Sequence, residues 1–177
     1  FAVPDSVAVL ESKSLTPYED VNTAIIKGLL RPIGYNRTLF DMAKTCQTAC
    51  VVVDWVTPPA ITDMMLRPVL KTLHAAGLSQ DHITILVTTE YPMQLSSEVL
   101  LSCLPDDIVD QYPIFAHDTL SFTQHVLVGK TDAGTPVYLH RRFVDADMKI
   151  ALGVLQSHFA AGFGGAPTLV GLGLTGP

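Results

Sequence analysis

Cysteine is scarce in this chain: Cys46, Cys50 and Cys103 are odd in number and none stands in a C-x-x-C pair. That excludes a disulfide framework and a structural zinc site, and leaves free thiols in a reducing cytoplasm as the reading. Charge is also sparse, at 16% of residues, and the 11 Lys and Arg form no stripe or tail against a net charge of -6. Nucleic acid is excluded as a partner, because phosphate binding needs clustered cations. No basic-then-apolar leader opens the chain. The uncharged stretch from Ile150 to Leu174 is long enough for a membrane span, but glycines, Gln156, Ser157, His158 and Pro167 interrupt it, so no membrane is expected. The first residue is Phe1 and the last are "GLTGP", so both ends read as cut from a longer protein.

What is abundant is apolar. Hydrophobic residues make up 48% of 177, enough for one core in one domain. "SVAVLES" reads as an edge strand, and "TPYEDVNTAIIKGLLRPIG" as a helix capped by Thr16 and stopped by Gly34. "CVVVDWVTPP" is a continuous β-branched run ended by prolines, as in a strand covered on both faces. Helical spacing returns over 62–76, with Met65, Val69, Leu70 and Leu73 on one side and Gly77 as the stop. "HITILVTTE" is a second buried strand, Ser96 to Leu104 a short helix, and "YPIFAHD" contains a further strand. "HVLVGKTDAGTPVYLHRRF" holds two strands about a turn, and "DMKIALGVLQ" is a last buried strand. Strands alternating with helices give an α/β fold, a largely parallel Rossmann-like sheet with flanking helices and one β-hairpin.

In such sheets ligands collect beyond the carboxyl ends of the strands. There the runs open onto Asp54, onto Thr88, Thr89 and Glu90, onto His117 and Asp118, and onto Ser157 and His158. The loop after His158, with Gly162, Gly164, Gly165 and Ala166, lets something approach the backbone closely. His158 beside that loop is a candidate acid/base. Asp54 is read first as a turn cap, and His117–Asp118 as turn chemistry, since neighbours on an extended chain point apart. Neither the dinucleotide fingerprint nor the phosphate-loop pattern is matched, so the loop supports a cofactor or anion cradle and no more.

Taken together, "VVVDWVTPP", "LVTTEYPM", "FAHD" and "GKTDAGTPVYLHRRFVDADMKIALGVLQSHFAAGFGGA" resemble, in order and spacing, the N-terminal domain of the nickel-dependent lactate racemase family. The resemblance covers nearly everything from Ile25 onward and is most specific from Gly129 to Gly165. It implies that residues 1–177 form the N-terminal half of a two-domain cytoplasmic isomerase, a racemase or epimerase of 2-hydroxy acids. It also implies a nickel pincer nucleotide tethered through a lysine of the glycine loop, and two histidines exchanging the hydroxyl proton while the cofactor handles hydride.

His158 matches one of those histidines. Glu90 stands at the other, within Thr89, Glu90 and Tyr91 in place of T-H-R. Asp54 keeps the acid of the D-x-T-R-P motif, but Thr57 holds the arginine position, which removes a carboxylate-gripping fork. The tether lysine becomes Thr168, or Pro167 with a one-residue gap. The resemblance therefore implies Asp54, Glu90 and His158 as catalytic residues, Thr57 and Tyr91 against substrate, and Gly162, Gly164, Gly165 and Thr168 around a cofactor. The alternative is a non-catalytic domain binding a small molecule or nucleotide in the same cleft. As an assembly partner, the domain would pack its apolar C-terminal segment on a second domain or another copy of the chain.

Overall fold

The computed structural model describes residues 14–89, 94–159 and 161–176. Its centre is a parallel sheet built from Ala49–Asp54 (β1), Ile83–Thr88 (β2), Ile114–Ala116 (β3) and Met148–Leu152 (β6), in the order β3-β2-β1-β6. β1 pairs with β2 from Ala49↔Ile83 to Asp54↔Thr88, and with β6 from Ala49↔Met148 to Val53↔Leu152. All four strands run the same way, so Asp54, Thr88, Ala116 and Leu152 end at one edge.

Alternation along the strands divides the core between two faces. Val51 and Val53 of β1, with Ile83, Ile85 and Val87 of β2, pack against Leu66, Val69, Leu70 and Leu73 of the helix Pro59–Ala75 (α3). Those four recur at i, i+3, i+4 and i+7, the stripe that one helical face requires. Cys50, Val52 and Leu86 point the other way, onto Phe143, Leu169 and Leu174. Each such side chain contributes roughly 1.5–3 kcal/mol on burial, which is why both faces of β1 read as one apolar run. α3 stops where expected: Gly77 takes φ +108°, and the N–H groups of Gly77 and Leu78 donate to His74 and Leu73 carbonyls.

The first helix starts later than its sequence suggests. It spans Val21–Leu30 (α1), because the Asp20 carboxylate accepts from Thr23 N–H at 3.0 Å and so caps the chain four residues beyond Thr16. A second short helix, Leu39–Ala43 (α2), leads into β1. The short helix expected over Ser96 to Leu104 is Ser97–Ser102 (α4), and a further one follows at Asp106–Val109 (α5). The expected edge strand "SVAVLES" lies outside the described residues.

His125–Lys130 (β4) and Pro136–His140 (β5) form the expected antiparallel hairpin, with a register shift between Leu127 and Gly129. Its turn is closed by Thr131 N–H to Thr135 O and by Gly134 at φ +85°. Arg141–Asp145 (α6) carries the chain to β6. β6 ends at Leu152, short of the expected Gln156, and the chain doubles back as Ser157–His158 (β7) and Gly162–Phe163 (β8) before Ala166–Gly171 (α7). Among the described residues no helix is long and apolar enough to cross a membrane.

Candidate functional site

Asp54 is the last residue of β1, and its Oδ1 accepts from the backbone N–H of Thr57 at 2.6 Å. This is the turn-capping role read for it from sequence, and it fixes Thr57 as a mostly buried residue between the strand end and α3. Beside it, burial together with the Asp54 charge raises the Cys103 thiol, and burial pushes Cys50 up to about 12. Both thiols stay protonated and act as core residues. All three cysteines are free, as their spacing suggests.

Thr88 and Thr89 are buried at the end of β2, where Thr89 Oγ1 donates to His117 O at 3.0 Å. Glu90 and Tyr91 lie outside the described residues.

His158 sits half-buried on β7, paired with Gly162 of β8. Its Nδ1 accepts from Ala161 N–H at 3.0 Å, which leaves the proton of the neutral ring on Nε2. The ring stacks on Phe159, with centroids 4.9 Å apart and planes at 17°. Phe159 is fully exposed, and Leu155 and Phe163 are 75% and 69% exposed, so this hairpin presents an apolar lip around one imidazole. Gly162, at φ +75°, supplies the bend that a side chain would strain.

The glycine loop also packs on its own chain. A Cβ on Gly153 would lie 2.9 Å from Ala166 N and from Gly165 C, so the exit of β6 and the start of α7 touch backbone to backbone. Gly164 N–H donates to Gln156 O at 2.7 Å, and Gly165 takes φ +120° at the helix start. Thr168 is tied to that turn in both directions: its hydroxyl donates to Gly165 O at 2.7 Å and accepts from Gly165 N–H at 3.0 Å. Thus Gly162, Gly164, Gly165 and Thr168 share one loop with His158 close by in the chain, and Asp54 and Thr57 belong to a separate turn after β1. Two cavities lie elsewhere. One of about 450 Å³, reached by Arg142 and His140, borders the amino ends of β1 and β2, and one of about 680 Å³ lies between α1 and α3.

Sequence reading missed a second histidine group. His117 is 0% exposed, and its ring centroid lies 5.0 Å from that of His125 and 5.6 Å from that of His140. The signal was available: "HVLVGK" and "PVYLH" flank a short turn, so hairpin pairing places His125 opposite His140. His117, which the sequence places in a turn, is buried against that pair.

The lactate racemase N-terminal domain family matches residues 1–176. Among curated proteins, a lactate racemase of Lactiplantibacillus plantarum is 27% identical over 139 residues, covering 78% of this chain and 32% of that protein. A lactate racemase of Thermoanaerobacterium thermosaccharolyticum is 24% identical over the same length, again covering 78% and 32%. The lactate racemase apoprotein structure from the latter organism superposes with a TM-score of 0.74 at 21% identity, covering 88% of this chain and 37% of that one. The chain thus spans about a third of the length of these relatives. It is a member of the lactate racemase N-terminal domain family.

Proposed function

We propose that this chain is the N-terminal domain of a racemase or epimerase acting on a hydroxyl-bearing stereocentre, completed by a C-terminal domain. The observation that carries the reading is His158, held through Nδ1 by Ala161 N–H on the exposed lip beside the glycine loop. For that ring to accept a hydroxyl proton at Nε2, its own proton must first move to Nδ1 at the expense of the Ala161 bond. Oxidation to the planar carbonyl intermediate also needs a hydride acceptor, which a noncovalently held cofactor would supply.

The substrate departs from a simple hydroxy acid in this reading. Thr57, at the position where the family resemblance places an arginine, offers no bidentate grip on a carboxylate, and Glu90 in the neighbouring motif repels one. A neutral alcohol or polyol with a carbonyl-forming carbon fits these residues better.

The nickel pincer nucleotide of the resemblance is not matched by the residues present. Thr168 has no amine with which to tether it, and its hydroxyl is held in both directions by Gly165. Gly153 and the Gly165–Ala166 backbone fill each other's space without an added group. Thr168 therefore cannot anchor a cofactor covalently at this loop, and any hydride-accepting cofactor would be held without a tether.

The test is chiral chromatography of a panel of hydroxy acids, hydroxy amides and polyols incubated with full-length protein produced alongside the cofactor-synthesis machinery. Interconversion of at least one neutral member is expected, falling about 10²- to 10⁴-fold in the His158→Gln variant. Failure to interconvert any member, or activity unchanged in His158→Gln, would overturn the reading.

A further inference from the structure

The buried histidines hold the end of the described chain. Residues Leu174 to Gly176 lie antiparallel along β5 through an isolated bridge: His140 N–H donates to Leu174 O at 3.0 Å, Gly176 N–H donates to Tyr138 O at 3.2 Å, and Thr175 bridges Leu139. Beneath them, His117 Nε2–H donates to Thr175 O at 3.1 Å. The His125 ring packs against Gly176 so closely that a Cβ there would meet Cγ at 2.5 Å. Leu174 is fully buried.

Backbone partners fix the tautomers of all three rings. His117 must carry its proton on Nε2 to donate to Thr175 O, and His125 on Nδ1 to donate to Ser121 O at 2.7 Å. His140 accepts at Nδ1 from Arg142 N–H at 3.2 Å, so its proton is on Nε2. Two lone pairs are left over, on His117 Nδ1 and His125 Nε2, both buried and without a hydrogen-bond partner. Among the described residues no three His, Cys, Asp or Glu side chains converge to hold a metal ion, so coordination does not account for the cluster.

We propose that this histidine nest is a proton-sensitive latch. With all three rings neutral, Leu174–Gly176 stays docked on the hairpin; protonation of the nest releases that segment ahead of any loss of the central sheet. Three imidazoles with centroids 5.0 to 6.1 Å apart, all on buried residues, cannot accept charge together at low cost. Undocking the segment opens the nest to solvent, where protonation is ordinary.

The charged groups bearing on the nest are few. Asp118, next to His117, favours a proton there, and Arg142 of α6 disfavours one on His140. The segment Leu174–Gly176 contributes no titratable side chain. Burial, the largest influence, holds His117 and His140 at about 4, below the ordinary 6.5, with His125 opposing charge on both. The docked state therefore has the depressed pKa. Its advantage is complete above pH of about 6.5, and it is lost as the pH falls from there to about 4, where the docked form also takes up protons. One proton taken up on opening gives up to tenfold per pH unit in the opening equilibrium, and two give up to about a hundredfold.

Amide hydrogen exchange between pH 7.5 and 5, corrected for intrinsic rates, tests this at the His140 and Gly176 N–H groups, with the Val52 and Leu86 amides as reference. Protection at His140 and Gly176 should fall below pH of about 6.5 with a slope approaching tenfold per unit for each proton taken up, while the reference amides hold. In His117→Gln, whose side-chain amide can still donate to Thr175 O, and separately in His140→Gln, that slope should flatten. Three results would overturn the latch: pH-independent protection in the wild type, simultaneous loss at Val52 and Leu86, or an unchanged slope in both variants. Zinc or nickel raising protection at the nest would also overturn it, by making the cluster a metal site.

Discussion

Two histidine regions of this molecule carry one residue type into opposite circumstances. His158 stands on a lip of exposed apolar residues, pinned at one nitrogen by a local N–H. His117 is enclosed, pinned at one nitrogen by a carbonyl 58 residues away and facing two more imidazoles. In the proposed function the first meets substrate; half-buried on a short hairpin, it contributes little to the core. The second meets only protein and depends on staying neutral. A histidine's role follows here from how far its ring is enclosed, which sequence spacing does not report.

The sharpest break of that comparison exchanges the two losses. His117→Ala should cost about 3 kcal/mol in urea unfolding, from the cavity it leaves and the buried Thr175 carbonyl that loses its donor. His158→Ala should cost less than about 0.5 kcal/mol, as a half-buried side chain on a short exterior hairpin. If the two variants unfold at the same urea concentration, the division between a structural and a chemical histidine fails.

How much of this was legible in the sequence depends on the range of the interaction. β1 and β2 were readable because Val51 to Val53 and Ile85 to Val87 are apolar on both faces, a local pattern with a local cause. Gly77 was readable as a helix stop for the same reason. Thr16 was a plausible cap but lost to Asp20, whose carboxylate reaches Thr23 N–H, a competition that differs by one turn of chain. The histidine nest was only half legible. Hairpin pairing places His125 opposite His140, but nothing local brings in His117 from after β3 or Thr175 from the far end. The glycine loop misdirects in a similar way. Its small residues promise close approach of something, and at Gly153 that something is the chain itself.

Glycines around the loop offer the next, smaller contrast. Gly153→Ala places a methyl group 2.9 Å from backbone atoms of Gly165 and Ala166, which cannot rotate away as a side chain could, so about 1–3 kcal/mol should be lost. Gly162→Ala meets nothing within 4 Å and should cost only about 1 kcal/mol, from the strain of φ +75°. Thermal unfolding of the two variants measures the difference. A larger loss at Gly162 would mean that the hairpin bend, rather than the packing of β6 on α7, holds the loop together.

The smallest effect falls on Thr168, where the chemical and structural roles of one residue can be separated. Thr168→Val keeps the shape and removes the hydroxyl that joins both polar groups of Gly165, so about 1 kcal/mol of stability should be lost. Thr168→Lys removes the same hydrogen bonds and adds the amine that the family resemblance places here. If stability falls equally in both variants while intact-mass analysis detects an adduct only in Thr168→Lys, the loop retains the shape of a cofactor cradle and lacks only its anchor. If Thr168→Lys gains no adduct, the self-packing of Gly153 on Gly165 and Ala166 has closed the cradle, and restoring one side chain does not reopen it.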